Sequence, residues 1–402
     1  MRFPIPAPVS EALALLRSAG YPAYLVGGCV RDFLRGCEPN DFDIATAATP
    51  EEMKRIFSSC RTVETGLAHG TLTVLIGGMP LEITTYRVDG RYTDHRRPDT
   101  VTFTENLRDD LARRDFTVNA MAYHPDEGMI DPFGGRDDLR RKLIRAVGDP
   151  ASRFAEDALR VLRACRFSSV LGFTVEEKTA DSARAAAQTL SAVSAERLRE
   201  EFCKMICGAG AAGVMAAFPE VTGTVLPGAC PPSFYDSLPV SVPLRLFALL
   251  CRNENPAVGE NAAERLRLDH ATRRSLLLLF ELRNRKIPQS LFAMRCFLRD
   301  AGEEAVRDYT AFLAASGEPG GEKAQILLDS ALSSSIPCTL RELAVTGRDL
   351  SALGMKEGPQ IGEILAGCLT AVMAEKIPNE KAALLGYADG LIKKGDASCT
   401  SV

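Results

Sequence analysis

The sequence has 402 residues, of which 46% are hydrophobic and 25% are charged, proportions that exclude a disordered or fibrous chain. At roughly 150 residues per domain, this length predicts two or more domains. The net charge of −4 gives no sign of a protein that binds nucleic acid over its whole surface, but it leaves room for local basic patches.

The twelve cysteines and four histidines are scattered along the chain. They form no C-x-x-C pair and no zinc-like spacing, so we expect reduced thiols in a cytoplasmic protein. The N-terminal segment carries Pro4, Pro6, Pro8 and Glu11, where a signal peptide would need an apolar segment. The longest apolar run, SLLLLF, is far shorter than the roughly 20 residues that span a bilayer. We therefore expect no membrane association.

The first part of the chain alternates short β-like runs with helical segments. EALALLRSAG has helical spacing and ends at Gly20, a natural helix stop. AYLVGG predicts a buried strand, VRDFLRG a short helix, and DFDIAT a second strand.

The alternation continues to about residue 140. EEMKRIFSS follows Thr49 and Pro50 and has the signature of a helix N-terminus. GTLTVLIGGMPLEITTYR predicts a hairpin of two β-branched runs around a Gly-Gly-Met-Pro turn.

Beyond residue 140 the pattern is helical. RFAEDALRVLRACRFSSVLGF places apolar residues three or four apart, from Phe154 to Cys165, which predicts a helix. Further helices follow, with GACPPSF as the clearest break. Residues 136–166 carry nine basic against five acidic residues, and residues 245–299 carry eleven against five. Such local excess fits a polyanion site, although solvated helix faces explain either stretch alone equally well.

Asp41 and Asp43 are the first candidates for chemistry. In a strand, residues i and i+2 share a face and lie roughly 7 Å apart. Two adjacent carboxylates repel unless a cation lies between them, and such a pair can hold two Mg²⁺ ions for phosphoryl transfer. An exposed strand face is the simpler explanation of a D-x-D motif taken alone.

The surroundings of this motif favour a nucleotide site. Gly27 and Gly28 lie between a predicted strand and a helix, where bare backbone can approach a phosphate, and Arg31 follows in the first helical turn. Glu82 lies in the LEITTY run, where a neighbouring strand could bring it beside the aspartates. Together these features indicate a two-metal nucleotidyl-transfer site, while the missing G-x-G-x-x-G motif argues against a Rossmann oxidoreductase.

With LVGGCVRDFLRG…DFDIAT, the head resembles the nucleotidyltransferase superfamily that includes DNA polymerase β. It is most similar to the class II tRNA branch, the CCA-adding enzymes and bacterial poly(A) polymerases. RRDFTVNAMAY resembles the ribose-selecting motif of that branch, EDALRVLR its base-reading motif, and SAERLREE its neck helix. The resemblance covers about the first 205 residues closely and the rest more loosely. It implies an α+β fold: a polymerase-β-like nucleotidyltransferase head with a mixed β-sheet (1–140), an all-α neck (141–205), and a helical body and tail (206–402).

The resemblance also implies roles for single residues. Asp41 and Asp43 would bind two Mg²⁺ ions, with Glu82 completing the catalytic carboxylates, and Arg114 and Asp115 would contact the ribose. The residues implied in nucleotide binding are Gly27, Gly28, Arg31, Arg114, Asp115, Asn119, Glu156, Asp157, Arg160 and Arg163.

The EDALR segment suggests how a base would be selected. Asp157 and Arg160 are three residues apart and would share a helix face. Asp157 can accept from the amino group of cytosine or adenine, and Arg160 can donate to the ring nitrogen. Uracil and guanine present a carbonyl where the amino group should be, so Asp157 would repel them. Glu156 would orient Arg160.

The implied function is template-independent addition of C, C and A to the 3′ end of tRNA from CTP and ATP. The segment Arg87–Asp99 resembles the full-length flexible loop of enzymes that add A as well as C. An A-adding specialist or a poly(A) polymerase stays open as an alternative, as does an RNA-binding protein with an inactive head. The partner would be the acceptor arm of tRNA, contacted through six candidate arginines: Arg265, Arg267, Arg273, Arg274, Arg283 and Arg285. Only His270 lies in the C-terminal half, so an HD phosphohydrolase domain is not expected.

Overall fold

The computed structural model describes residues 3–90, 101–352, 355 and 358–399. Its internal contacts divide the chain into two units, Met1–Pro231 with Glu264–Arg267, and Pro232–Ala263 with Leu268–Val402. The sequence-based boundaries after residues 140 and 205 both lie inside the first unit. The finer division into head, neck, body and tail therefore stays a prediction.

All strands of the described residues belong to the first unit. They are β1 (Ala23–Val26), β2 (Asp43–Thr46), β3 (Arg61–Val63), β4 (Thr71–Ile76), β5 (Met79–Thr85), β6 (Arg87–Asp89), β7 (Val101–Phe103), β8 (Ala122–His124), β9 (Gly128–Ile130), β10 (Leu143–Ile144) and β11 (Thr174–Val175). Seven of them form one sheet in the order β3-β4-β5-β2-β1-β8-β9. Within it, β2 and β5 run parallel and the other neighbours run antiparallel, so the sheet is mixed.

Helices surround this sheet in the first unit and make up the second. In chain order they are α1 (Ala7–Ser18), α2 (Gly28–Leu34), α3 (Pro50–Ile56), α4 (Leu107–Ala112), α5 (Gly135–Arg140), α6 (Pro150–Glu156), α7 (Leu159–Leu171), α8 (Glu177–Ala185), α9 (Ala195–Ile206), α10 (Ala211–Ala217), α11 (Pro219–Val225), α12 (Val242–Leu250), α13 (Val258–Arg265), α14 (His270–Arg283), α15 (Leu291–Ala301), α16 (Glu303–Ser316), α17 (Gly321–Ser333), α18 (Gly347–Ala352), α19 (Pro359–Met373) and α20 (Lys381–Cys399). The α+β head followed by helices is the architecture that the sequence predicted.

Local chemistry explains the boundaries of the early elements. Thr49 and Glu52 form a reciprocal capping box at the start of α3, which satisfies backbone N–H groups of the first turn. The β4–β5 hairpin turns at Gly77 and Gly78, which both have positive φ, because a two-residue turn of this twist favours glycine. Met79 is the first residue of β5 and pairs with Ile76. The turn therefore consists of Gly77 and Gly78 alone, and Met79 and Pro80, which the sequence placed in the turn, belong to the strand.

Both faces of the sheet are covered by apolar side chains. Leu25, Ile44 and Ile83 lie in a core with residues of α1 and α3. Val26 and Ala45 face a second, smaller core on the other side. A polar side chain on this sheet therefore indicates a position that the apolar packing does not cover.

The second unit has its own apolar core near its C-terminal end, where α18, α19 and α20 contribute Leu350, Leu369 and Leu384. No helix among the described residues has both the length and the apolar character needed to cross a membrane. The eleven cysteines whose side chains are described are all free thiols.

Candidate active site

Asp43 and Glu82 lie side by side on the parallel strands β2 and β5, where they are register partners. Both residues are exposed, whereas Ile44 and Ile83, which follow them, are fully buried. Because side chains alternate along a strand, the two carboxylates share the face opposite the larger core. The structure thus places Glu82 beside Asp43, as the sequence suggested.

Asp41 differs from the sequence prediction because it is not part of a strand. β2 begins at Asp43, which pairs with Val26, the last residue of β1. The chain turns away at Gly27, so β1 offers no partner to extend β2 towards Asp41, and the pairing of β2 with β5 likewise begins at Asp43. The argument from strand alternation therefore fails for Asp41, although its carboxylate remains close enough to act on Asp43.

The charges around Asp43 explain the behaviour of its carboxyl group. Loss of hydration raises the pKa of Asp43, the Arg114 guanidinium lowers it, and the carboxylates of Glu82 and Asp41 raise it. Mutually repelling carboxylate oxygens are the ligands that Mg²⁺ prefers. No group of three His, Cys, Asp or Glu side chains within the described ranges is already arranged around a metal position. The fit to a metal therefore rests on the pairing of Asp43 with Glu82 and on the repulsion that Glu82 and Asp41 exert on Asp43.

The glycine turn lies directly against this cluster. Gly27 has φ of 75°, which strains any residue with a side chain. A Cβ atom on Gly27 would lie 2.9 Å from Nη1 of Arg114 and 3.7 Å from Oδ2 of Asp43. Gly28 begins α2. The turn keeps the space beside Asp43 and Arg114 free of side-chain atoms.

A chain of polar contacts leads from α2 to α7. Arg31 donates from Nη1 to Oδ1 of Asn119 at 2.8 Å. Nδ2 of Asn119 donates to Oδ1 of Asp115 at 3.1 Å. Oδ2 of Asp115 accepts from Nε and Nη2 of Arg163 at 2.9 and 2.7 Å. The structure thus brings together four of the residues that the resemblance assigned to the nucleotide.

Asp115 is largely buried, with 10% of its side chain exposed. Burial alone would raise its pKa, but Arg163, Asn119 and the N–H of Phe116 outweigh that effect and hold the pKa of Asp115 at about 2. Both of its oxygens accept hydrogen bonds from the protein. A ribose contact by Asp115 would therefore use its remaining lone pairs.

Replacing Asp115 with asparagine should lower the free energy of unfolding by about 2 kcal/mol at neutral pH. Because the pKa of Asp115 is depressed in the folded state, its contribution is complete above about pH 4 and is lost as the pH falls towards about 2. Urea unfolding of the wild type and the variant at about pH 7 and about pH 3 measures this difference. The exposed Asp181→Asn variant is the control, and an Asp115→Asn deficit that stays equal at both pH values would contradict the explanation.

The EDALR segment is not part of one helix. α6 ends at Glu156 and α7 begins at Leu159, and Asp157 between them has extended backbone dihedrals. The prediction of a continuous helix, with Asp157 and Arg160 on one face, is therefore wrong. The carboxylate of Asp157 accepts the backbone N–H of Leu159 at 3.1 Å, so it satisfies a donor at the start of α7.

Arg160 lies in the first turn of α7 and is 8% exposed. Its Nη1 donates to Oε2 of Glu156 at 2.6 Å and its Nη2 to the backbone carbonyl of Arg113 at 3.0 Å. Glu156 thus lies where the sequence interpretation needed it, in contact with Arg160. Asp157 instead pairs with Arg197, at 2.9 Å.

Two charged residues of α9 belong to this region, and the sequence analysis did not single them out. Arg197 holds Asp157, and Glu201 pairs with Arg163 and Arg166 at 3.0 and 2.5 Å. Both lie within the SAERLREE segment. The resemblance of this segment to a neck helix was the only feature of the sequence that pointed to them. Their partners are 35 to 40 residues away in the chain, so spacing could not identify them.

The six candidate tRNA-binding arginines do not all have free guanidinium groups. Five contact protein groups: Arg265 donates to the carbonyls of Val225 and Thr224, Arg267 pairs with Glu196, Arg273 with Glu260, Arg283 donates to the carbonyl of Cys251, and Arg285 pairs with Asp300. Within the part of the chain that the structure describes, Arg274 has no such partner. Arg274 lies on the exposed side of α14 and lines an open groove of about 490 Å³ with Arg273 and His270. Arg274 is the best placed of the six to contact a phosphate.

We expect Arg274→Gln to weaken tRNA binding by about three- to fivefold and to reduce the salt slope of the affinity by about one, because one phosphate contact is lost. Filter binding of tRNA between about 50 and about 200 mM NaCl measures both quantities. The exposed Arg55→Gln variant in α3 changes the net charge equally and should bind as the wild type does. An unchanged slope in Arg274→Gln would remove Arg274 from the interface.

The loop Arg87–Asp99 is described only up to Gly90, and residues 91–100 lie outside the described residues. Its first three residues form the strand β6, which pairs antiparallel with β7 beyond the segment, so the predicted start of the loop at Arg87 is wrong. The interpretation of this segment as a full-length flexible loop stays a prediction.

Comparison with known proteins adds independent findings. The model of the poly A polymerase head domain matches residues 23–145, a probable RNA- and SrmB-binding site of polymerase A matches residues 172–217, and tRNA nucleotidyltransferase domain 2 matches residues 259–388. A CCA-adding enzyme of Lactobacillus delbrueckii is 38% identical over 93% of this chain and 95% of that protein. One of Limosilactobacillus fermentum is 37% identical over 96% and 97%. The crystal structure of the Bacillus stearothermophilus CCA-adding enzyme in complex with CTP superposes with a TM-score of 0.77 at 30% identity, covering 98% of this chain and all of that one.

Proposed function

The chain belongs to the family of CCA-adding enzymes, and we propose that it adds C, C and A to the 3′ end of tRNA from CTP and ATP. The observation that carries this proposal is the pairing of Asp43 with Glu82 beside the Gly27 turn. A cluster of carboxylates next to a side-chain-free backbone turn suits a metal-bound triphosphate. Since tRNA, CTP and ATP are cytoplasmic, we propose the same location for the enzyme.

The reaction is an in-line displacement at phosphorus. The 3′-hydroxyl oxygen of tRNA attacks the α-phosphorus and passes its proton to the Glu82 carboxylate, a new P–O bond forms, and the bond to the departing pyrophosphate breaks. We assign Asp41 and Asp43 to hold two Mg²⁺ ions, with Glu82 completing the carboxylates near the attacking hydroxyl. Mg²⁺ held by these carboxylates would supply positive charge that offsets the negative charge developing in the reaction. Arg114, which faces Asp43, supplies a further positive charge for the phosphates and the ribose.

The base is selected by protein side chains in place of a template. We propose that Asp157 accepts from the amino group of cytosine or adenine and that Arg160 donates to the ring nitrogen. The contact from Glu156 orients the Arg160 guanidinium, and that from Arg197 holds the Asp157 carboxylate. Because both side chains are fixed before the nucleotide arrives, little rotamer entropy remains to be lost on binding.

The tRNA is held by its phosphates. We propose that the acceptor arm binds the second unit, with Arg274 and Arg273 of α14 among the contacts. This contact is electrostatic and independent of sequence, so affinity falls as salt rises. It suits an enzyme that must accept every tRNA.

Single-nucleotide extension tests the proposal. The substrates are tRNAs that end at the discriminator base, at C and at CC, each with Mg²⁺ and with CTP, ATP or both. We expect stepwise addition of C, C and one A, followed by termination. ATP use on the CC-ended tRNA alone would show an A-adding specialist, an unterminated A tail a poly(A) polymerase, and no incorporation despite tRNA binding an inactive head.

A further inference from the structure

Asp110 carries a buried carboxylate that the assigned chemistry does not use. It lies in α4, the residue is fully buried, and its side chain is 1% exposed. Its Oδ1 accepts from Nε and Nη2 of Arg113 at 2.9 and 2.8 Å, and from the backbone N–H of Arg87 at 3.4 Å. Its Oδ2 lies 3.5 Å from Nη2 of Arg114 and accepts no hydrogen bond. A carboxylate is costly to bury without such positive partners.

The two arginines lead from Asp110 to two different parts of the proposed site. Nη1 of Arg114 lies 2.9 Å from the position of a Cβ atom on Gly27, and its charge acts directly on Asp43. The backbone carbonyl of Arg113 accepts from Arg160. Asp110 therefore contacts the group that faces the triphosphate and the residue that supports base selection.

We propose that Asp110 is a positioning residue, whose buried carboxylate holds the Arg114 guanidinium so that it faces Asp43 before the nucleotide binds. This role rests on the proposed function. A free arginine side chain samples many rotamers, and each one away from Asp43 reduces the fraction of enzyme ready to bind a triphosphate. The Asp110 carboxylate lies against Nη2 of Arg114, whereas Gly27 lies near Nη1. This contact favours the single Arg114 rotamer in which the guanidinium faces Asp43.

The neighbouring Asp109 provides a matched control. It lies in the same helix, has the same side chain and is partly exposed, and among the described residues its carboxylate accepts one contact, from Thr104 at 3.4 Å. No described contact joins Asp109 to Arg113 or Arg114. A change of charge on α4 can thus be separated from a change at Asp110.

A double-mutant cycle tests the proposal. The variants are Asp110→Asn, Arg114→Gln, the pair together, and Asp109→Asn, each assayed for kcat and KM with CTP and with ATP on the matching tRNA. We expect Asp110→Asn to lower kcat/KM about tenfold with both nucleotides and Arg114→Gln about 100-fold. The double variant should be no worse than Arg114→Gln alone, because Asp110 acts through Arg114. Asp109→Asn should match the wild type.

Losses that multiply in the double variant would overturn the proposal, since they would show that Asp110 acts independently of Arg114. If Asp110→Asn does not fold, Asp110→Glu keeps the charge and moves it by one methylene. An Asp110→Glu enzyme whose melting curve shows that it is folded at the assay temperature should still lose kcat/KM, and wild-type kinetics would contradict the role. A wild-type enzyme that adds no nucleotide would instead contradict the proposed function.

Discussion

Replacing Asp43 with asparagine will lower kcat for the addition of C and of A about 1,000-fold or more, an effect of about 4 kcal/mol on the activation free energy. Asparagine keeps the shape of the side chain but removes the charge that would hold Mg²⁺. Because loss of hydration and the carboxylates of Glu82 and Asp41 disfavour the charge on Asp43, removing that charge should leave the stability of the fold unchanged or slightly increased. Primer extension on tRNA ending at CC, together with a melting curve, measures both effects.

Glu38→Gln is the matched control for Asp43→Asn. Glu38 is an exposed acidic residue only five positions earlier in the chain, so the net charge changes equally near the same surface. It should retain activity within about twofold, as surface substitutions usually do. A folded Asp43→Asn enzyme with more than a tenth of the wild-type rate would show that these carboxylates do not hold the metal.

Replacing Asp157 with asparagine will let UTP compete with CTP. Asparagine can donate to the uracil carbonyl that the Asp157 carboxylate repels, whereas Arg160 still favours the ring nitrogen of cytosine. We expect the ratio of kcat/KM for CTP over UTP to fall from about 10⁴ to about 10, and kcat/KM for CTP to fall about 100-fold, because a site built to bond an amino group then lacks its acceptor. Extension assays with CTP, ATP, UTP and GTP separately give these ratios.

The structure shows why this variant should still fold. Asp157 accepts the backbone N–H of Leu159, and an asparagine oxygen serves a helix N-terminus equally well. Asp149 caps α6 in the same manner, through the N–H of Ser152, so Asp149→Asn is the control for the loss of a capping carboxylate. An Asp157→Asn enzyme that rejects UTP as strongly as the wild type would assign base selection to other groups.

Several features of the site could be predicted because each depends only on residues that are neighbours in the sequence. A glycine pair between a buried strand and a helix, two aspartates just after it, and a glutamate in a β-branched run are visible within short segments. The pairing of Asp43 with Glu82 needed one further step, the placement of β2 beside β5. That step was a reasonable expectation because acidic residues on otherwise apolar strands must lie where water or a cation can reach them.

The break between α6 and α7 could not be predicted in the same way. Apolar residues continue at helical spacing across the break. Phe154 before it and Leu162 after it are both buried. Periodicity reports which residues face the core, and two short helices that pack on one core keep the same period as one long helix. Glu156 and Asp157 follow each other at this break, so they can engage two different arginines.

The sequence by itself determined the mixed head and the helical remainder, and it supplied the residues that we propose for metal and base binding. The tertiary structure decided which of those groups are free to act. Asp110 and Asp109 are indistinguishable in the sequence, yet only Asp110 is fully buried against arginines. Among the six candidate arginines, charge is equal and only the folded chain shows which guanidinium groups already have partners. The reason is that burial and pairing depend on residues distant in the chain, whereas propensity and turn chemistry depend on neighbours.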